Sequence, residues 1–376
     1  MNLIITKKKL IRMLDIINLA NSTNTIDHTM GCACMEASTK TNRLRLYKSG
    51  NVFSYVIDDC KVIEGGKLNI SINVLLPVIL KLSEDDIEIT LVDTTLMVKS
   101  GTTSLQVPTR ADLDINLNEY NATSGDSDTL IELSSKAMQL AINKTKGANE
   151  HNCPTASLQA YYMNFDDDGI RLSSATSKGM SSFKIKGLVK QHNHDLKLIS
   201  PSNGINEIYK FASLAGENLK LIVHDASMII LGSGAYIGIK YMACSPVDLD
   251  KVKLKHEDAK FKIKLDGNVL KSKISLVLSL PKTTQIDFQY SNNLLKIVGK
   301  SITHGEVSEE MIVNGMGSID LKWSLDSTLL SSYLPCFPNC DVMLLSSDNP
   351  KRTHKQFEYD DNMFIIVGLS IKEKEE

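Results

Sequence analysis

No apolar run in this 376-residue chain approaches the ~20 residues that a membrane-spanning helix needs. The opening stretch, MNLIITKKKLIRMLDIINLA, sets its lysines among its apolar residues rather than ahead of them. It therefore reads as a strand leading into an amphipathic helix rather than as a signal peptide, and a cytoplasmic location is expected. Seven cysteines (Cys32, Cys34, Cys60, Cys153, Cys244, Cys336, Cys340) show no disulfide framework. Cys32 and Cys34 share one face of a strand pattern, and Cys336 and Cys340 bracket a Pro-containing turn. Zinc needs about four Cys or His ligands in tight clusters, and neither pair has a second cluster, so no metal and no cofactor are expected.

Catalytic signatures are missing as well. There is no phosphate-binding loop, no G-x-S-x-G elbow and no H-E-x-x-H helix. The eight histidines are scattered, with His192 and His194 in a polar loop where exposure to solvent is expected. Asp166-Asp167-Asp168-Gly169 lacks the glutamate that an EF-hand loop requires beyond its glycine, so it reads as a hairpin turn. No catalytic residue is assigned. Arginine is scarce too, only Arg12, Arg43, Arg45, Arg110, Arg171 and Arg352 among 42 cationic residues. Readers of base sequence favour arginine forks, whereas lysine suits loose phosphate contact. With no helix-turn-helix, zinc finger or aromatic stacking motif, any nucleic-acid contact is expected to be independent of base sequence.

The hydrophobic share of 42% and the charged share of 23% are those of a soluble globular protein long enough for two or three domains. Its organising stretch is Leu68–Val107. A short strand precedes Leu75, Leu76, Ile79 and Leu82 at helical spacing. Ile87, Ile89 and Leu91 then alternate with polar residues, and two further short strands follow after turns at Asp93-Thr94-Thr95 and Ser100-Gly101. The pattern recurs 132 residues later, without a gap across its second part: Leu76, Ile79 and Leu82 fall on Ile208, Phe211 and Leu214, and Ile87, Ile89 and Leu91 on Leu219, Leu221 and Val223. Asp93 falls on Asp225, and Leu105 and Val107 on Ile237 and Ile239. Matched positions in two periodicities make an internal repeat.

Six such units are legible. The first has a strand at Leu3–Ile5, a helix at Lys7–Leu19, and strands at Met30–Ala37, Arg43–Tyr47 and Val52–Ile57. The third begins at Leu130, with a helix at Ser134–Lys146 and strands at Leu158–Phe165, Ile170–Ala175 and Ser182–Ile185. The fourth spans Leu196–Tyr241. The fifth has a helix near Asn268–Leu280 and strands at Gln285–Tyr290, Leu294–Gly299 and Glu306–Val313. The sixth carries Leu325, Leu329, Leu330 and Tyr333 on its helix and strands at Asp341–Leu345 and Met363–Ile371. Polar linkers are expected at Ala111–Asp128 and Ser245–Ala259. Paired, the units give three α+β domains of residues 1–115, 128–246 and 258–376, each burying a helix face of both halves against sheet.

In chain order the helices carry net charges of +3, +1, +3, 0, +2 and −1, while the whole chain is −2. Cationic helices on a negative body suggest one surface facing a polyanion. The candidate DNA-facing residues are Lys7, Lys8, Lys9, Arg12, Lys81, Lys136, Lys144, Lys146, Lys271 and Lys273.

Three tandem domains of doubled strand-helix-three-strand units resemble the bacterial sliding clamps, the β subunits of DNA polymerase III. LNISINVLLPVILKLSEDDIEITLVDTTLMVKSG, LSSAT at Leu172–Thr176, TQIDFQYSNNLLKIVG, EVSEEMIV and FIIVGLSI carry the resemblance, which extends over nearly the whole chain. It implies helices inside, sheets outside and a head-to-tail homodimeric ring that holds double-stranded DNA by topology. It also implies partners that dock short peptides: the DNA polymerase III α subunit, the clamp loader and other clamp-binding-motif proteins. By position, the peptide pocket is Thr176, Pro246, Leu325, Ile365, Val367, Gly368, Leu369, Ser370 and Ile371. Gly368 replaces the family's tail proline, Ser370 its arginine, and Lys178-Gly179-Met180 a glycine, histidine and arginine. The ring interface implied is Lys99, Leu105 and Val107 against Val277, Leu278, Glu306, Glu309 and Glu310. Few basic residues face those acids, so a weaker dimer than usual is expected. Two other readings remain: a clamp-like paralogue, of the mobile-element type, that binds DNA or partners without supporting processive synthesis, and a hydrolase or nuclease.

Overall fold

A computed structural model describes residues 1–20, 32–50, 52–110, 122–149, 153–315, 320–347 and 354–369. In chain order it repeats one motif six times. The first is β1 (Asn2–Thr6), α1 (Lys7–Asn18), β2 (Cys32–Ser38), β3 (Arg43–Lys48) and β4 (Val52–Asp59), with an extra strand β5 (Lys61–Glu64). The second is β6 (Gly66–Ser71), α2 (Ile72–Lys81), β7 (Asp86–Val92), β8 (Thr95–Ser100) and β9 (Thr103–Pro108). The third is β10 (Thr129–Ser134), α3 (Ser135–Thr145), a one-turn α4 (Ala156–Gln159), β11 (Tyr161–Asp166), β12 (Gly169–Thr176) and β13 (Gly179–Lys186), with the extra β14 (Leu188–Gln191). The fourth is β15 (Leu196–Ile199), α5 (Asn206–Leu214), β16 (Asn218–Val223), β17 (Ser227–Gly232) and β18 (Ala235–Lys240). The fifth is β19 (Phe261–Asp266), α6 (Gly267–Leu278), β20 (Gln285–Ser291), β21 (Leu294–Ser301) and β22 (Gly305–Ile312), with the two-residue β23 (Asn314–Gly315). The sixth is β24 (Leu321–Asp326), α7 (Ser327–Tyr333), β25 (Asp341–Ser346), β26 (His354–Tyr359) and β27 (Asn362–Val367).

The chain divides into two compact units. The first comprises residues 1–139, 165–169 and 186–242, and the second residues 140–164, 170–185 and 243–376. In the first, β5-β1-β7-β8-β9 form one sheet and β14-β10-β16-β17-β18-β4-β3-β2-β6 another, every adjacent pair of strands antiparallel. Helix α1 buries Leu10, Met13, Leu14, Ile16 and Ile17, a stripe at helical spacing that packs on α2 and β4. The duplication extends to backbone detail: Gly101 and, 132 residues on, Ser233 both take the left-handed conformation in their turns.

In the second unit, β11-β12-β13-β27-β26-β25-β19-β23 form one sheet and β22-β21-β20-β24 the other. Its core stacks Trp323 on Phe288 (centroids 5.0 Å apart) and packs Phe337, Phe357 and Phe364 within 4.6–5.5 Å of one another. Such pairs add about 0.5–1.5 kcal/mol each beyond burial of their area. Asp266 and Asp326 start α6 and α7, their carboxylates accepting backbone N–H groups of Asn268, Val269 and Leu329 at 2.8–3.0 Å. Asn292 and Asn293, both at positive φ, make the tight β20–β21 hairpin.

Four local expectations change. Leu325 lies on β24 and not on the sixth helix, because Asp326 caps the helix that begins at Ser327. Leu158 lies on α4, and the strand begins only at Tyr161. His194 is not solvated: its side chain is 9% exposed, Nε2 lies 3.1 Å from Asp225 Oδ1 and Nδ1 3.3 Å from Thr129 Oγ1. The His192–His194 loop instead fastens the end of the first linker. Asn193 Nδ2 donates to the carbonyls of Asp126 and Asp128, both at 2.9 Å, and His224 Nδ1 meets Asp128 Oδ1 at 2.7 Å. The second linker is not wholly irregular, since Leu249–Val252 forms a 3-10 turn. Residues 111–121 of the first linker, and Met30 of the predicted second strand, lie outside the described residues.

Candidate functional site

The sequence assigned ten helix cations to one polyanion-facing role, and the structure divides them. Lys7 donates its ammonium to the Leu82 carbonyl. Lys9 lies 3.1 Å from Asp58 Oδ1 and 3.0 Å from the Asp59 carbonyl. Arg12 binds the carbonyls of Leu214 and Ser233 and sits 3.6 Å from Asp58. Lys144 is half-buried, donates to the Phe337 carbonyl at 2.7 Å, and has its pKa lowered by burial and then by Lys271. Lys273 pairs with Glu309 at 2.7 Å. These five hold contacts within the fold, so less of their charge is available to a polyanion than expected of them as DNA-facing residues. α1 starts with three lysines against its own dipole, and nearby carbonyls and Asp58 offset that.

Lys8, Lys81, Lys136 and Lys146 are exposed and have no hydrogen-bond or ion-pair partner among the described residues. Lys271 is half-buried beside Lys144. Charge counting cancelled Lys210 on α5 against Glu207. However, burial pushes Glu207 up to about 7, so less than a full negative charge offsets Lys210. The exposed helix residues also include Val74, Leu80, Leu140, Tyr209, Val269 and Leu276. Contact of these helices with a polyanion would therefore be sparse and sensitive to salt.

The described residues expected to form a peptide pocket all fall in the second unit. Thr176 ends β12, its Oγ1 accepting from Lys178 N at 3.1 Å. Val367 N donates to the Lys178 carbonyl at 2.8 Å, and Leu369 N to the Ser324 carbonyl at 2.9 Å. Pro246 is exposed, Thr176, Val367 and Gly368 are half-buried, and Leu369 is 40% exposed. A side chain at Gly179 would bring its Cβ within 2.2 Å of the Ile365 carbonyl and 2.5 Å of Tyr333 Oη, so only glycine fits there. Leu325 and Ile365 are 0% exposed. Strand alternation turns Leu325 into the Trp323–Leu330 core and Ile365 onto Ala175 and Met180, so both side chains are core rather than surface. Ser370 and Ile371 lie outside the described residues.

The two expected interface strands, β9 and β22, are each the last strand of their sheet, with one backbone edge unpaired among the described residues. Lys99 is exposed and Leu105 half-buried. Val107 and Val277 are 1% and 0% exposed within their own cores, so neither is a surface residue as expected; Leu278 is half-buried, and Leu276 beside it is exposed. Glu306, Glu309 and Glu310 face Lys300, Lys273 and Lys296 of their own unit. Ile302, in the turn before β22, and Ile312, the last residue of β22, are the most exposed large apolar residues described. Sequence alternation could have found Ile312, whereas the commitment of the acids is a tertiary fact. Among the described residues no group of three or more His, Cys, Asp or Glu could hold a metal ion, and no disulfide joins the cysteines.

Six β-α-β-β-β repeats in this order define the sliding-clamp fold. Solved structures of DNA polymerase III β subunits share it along essentially the whole chain. The Pseudomonas aeruginosa subunit matches at a TM-score of 0.83 and 16% identity, covering 99% of this chain and 100% of its own. The putative Eubacterium rectale subunit matches at 0.83 and 17%, and the Thermotoga maritima subunit at 0.82 and 14%, each over 99% of this chain and 100% of its own. No family model and no curated protein sequence matches the chain.

Proposed function

We propose that this protein is a DNA sliding clamp, a non-catalytic processivity factor that encircles duplex DNA and tethers the replicative polymerase. The observation that carries the reading is the full-length match to DNA polymerase III β subunits at TM-scores of 0.82–0.83. The three domains are residues 1–115, 128–246 and 258–376. Two copies close head to tail, β9 of one beside β22 of the other, so that the helices line the hole and the sheets face out. The four exposed, unpartnered lysines supply loose phosphate contacts that permit sliding. Thr176, Pro246, Val367, Gly368 and Leu369 form the docking surface for peptides of the polymerase α subunit, the clamp loader and other partners. The protein acts in the cytoplasm.

The test is retention on nicked circular DNA by gel filtration, followed by cutting of the circle. A ring stays on the closed circle and slides off the ends of the cut one, whereas an electrostatic binder behaves alike on both.

One observation favours a second reading, a clamp-like paralogue that occupies DNA or partners without supporting synthesis. Half of the expected helix cations are bound within the fold. Polymerase processivity on a primed circle, with and without a clamp loader, separates the two.

A further inference from the structure

The face of the nine-stranded sheet opposite α1 carries a cavity of about 810 Å³ in the first unit. Strand register explains its shape. Glu132 pairs with Lys220, Lys220 with Leu231, Leu231 with Tyr236 and Tyr236 with Tyr55, one rung running straight across β10, β16, β17, β18 and β4. The next rung is Ser134, Asn218, Ser233, Gly234 and Ile57, all small or short except the last. A large rung beside a small one leaves a trough across the strands, which Ala122 helps to line. At ~4.8 Å between strands it is about 19 Å long, and its length is compatible with a short extended peptide.

Its two ends differ. At one, Tyr55 and Tyr236 stack with centroids 4.7 Å apart and rings inclined by 18°. Neither phenol has a hydrogen-bond partner among the described residues, and burial raises both, Tyr236 to about 12, so they remain donors. At the other, the Lys220 ammonium has no partner among the described residues, because the Glu132 carboxylate opposite it accepts from Lys190. The free polar groups are thus donors, Lys220 lying two strand spacings (~10 Å) from Tyr236 and three (~14 Å) from Tyr55, about three to four residues of extended chain. A nucleic-acid strand fits less well. Beyond the tyrosines, Arg45 is paired with Glu36 and Arg43 with Asp59, so among the described residues one free cation, Lys220, faces the trough.

We infer that this trough is a second docking site, separate from the Thr176–Leu369 surface, for an extended acidic peptide segment of a partner protein. An aromatic side chain of that segment stacks on the Tyr236–Tyr55 pair, and a carboxylate about four residues along meets Lys220. The peptide crosses the strands, so its affinity comes from side chains and not from addition to a sheet edge.

The probe is an acetylated, amidated pentapeptide with 4-fluorophenylalanine first, three serines and aspartate last, titrated with the full-length chain and read by fluorine NMR. A twin ending in lysine is the control. The aspartate peptide is expected to bind saturably in the millimolar range or tighter. Lys220→Glu weakens it about tenfold and reverses the preference between the peptides, as loss and inversion of one partly desolvated ion pair requires. Tyr236→Ala weakens both peptides. Lys220→Glu is a surface change, and an unaltered melting temperature excludes misfolding. Absence of saturable binding, equal affinity for the two peptides, or indifference to Lys220→Glu each overturns the inference.

Discussion

Lys355 is a lysine folded into a core, and Lys355→Met tests how the second unit carries it. It sits on β26 at 5% exposure with no ion-pair partner among the described residues. Its Nζ donates to Ser346 Oγ at 2.7 Å and lies 5.8 Å from the Trp323 ring centroid. Burial pushes the ammonium from its usual 10.5 down to about 8. The depressed value means that the native state binds its proton less tightly than the unfolded chain. Between about pH 8 and 10.5 the unfolded chain holds the proton and the native state has released it, so stability rises with pH across that window. Below about 8 both states are protonated and the full penalty, on the order of 3 kcal/mol, is present. Methionine matches the stem in length and removes the charge. The Ser346 hydrogen bond and the cation–π contact are lost, about 1 kcal/mol each. The variant should therefore be more stable than the parent by ~1–2 kcal/mol at pH 7, with the advantage gone by about pH 10. Trp323 is the chain's one tryptophan, so urea unfolding followed by its fluorescence at fixed protein concentration reads this unit directly. A variant less stable than the parent at pH 7, or one keeping the parent's rise between pH 7 and 10, refutes the reasoning.

The remaining predictions separate support from contact. Leu325→Ala should cost about 2–5 kcal/mol by thermal melting, as deletion of a buried leucine does. Leu369→Ala, at a site 40% exposed, should leave melting nearly unchanged and weaken docking of partner peptides measured by calorimetry. Gly179→Ala should lower both stability and docking, since its Cβ collides with the Ile365 carbonyl; unchanged melting would show that the β13–β27 contact yields easily. Replacing Lys8, Lys81, Lys136 and Lys146 together by alanine should flatten the salt dependence of DNA binding by up to about 0.9 per lysine in the log–log slope, with the fold intact. Lys9→Ala and Arg12→Ala should instead show their main effect in melting.

Much of the architecture was legible because its signals are local and repeated. Apolar residues at 3.6 spacing marked α1 and α5, strict alternation marked β7 and β16, and the 132-residue offset linked them. The strands β5, β14 and β23 escaped because they are two to four residues long, too short to show a period, and pair only at sheet margins. Leu325 was misplaced because Leu325, Leu329 and Leu330 satisfy helical spacing, while Trp323 and Leu325 equally satisfy strand alternation. Asp326, a capping residue between the two patterns, was the signal that decides. The site was less legible. Whether Lys9 faces solvent or Asp58, or whether Val277 is surface or core, depends on contacts tens of residues away that no local period encodes. Likewise the trough along Tyr55, Tyr236 and Lys220 exists only through the register of five strands drawn from three distant stretches of chain.

The most direct test of the clamp reading is retention on singly nicked circular duplex DNA at a salt concentration that releases ordinary electrostatic binders. The account predicts that loaded protein stays with the circle and is lost when one restriction cut opens it. Equal retention on circular and linear DNA, or loss from both on raising the salt, would contradict encirclement.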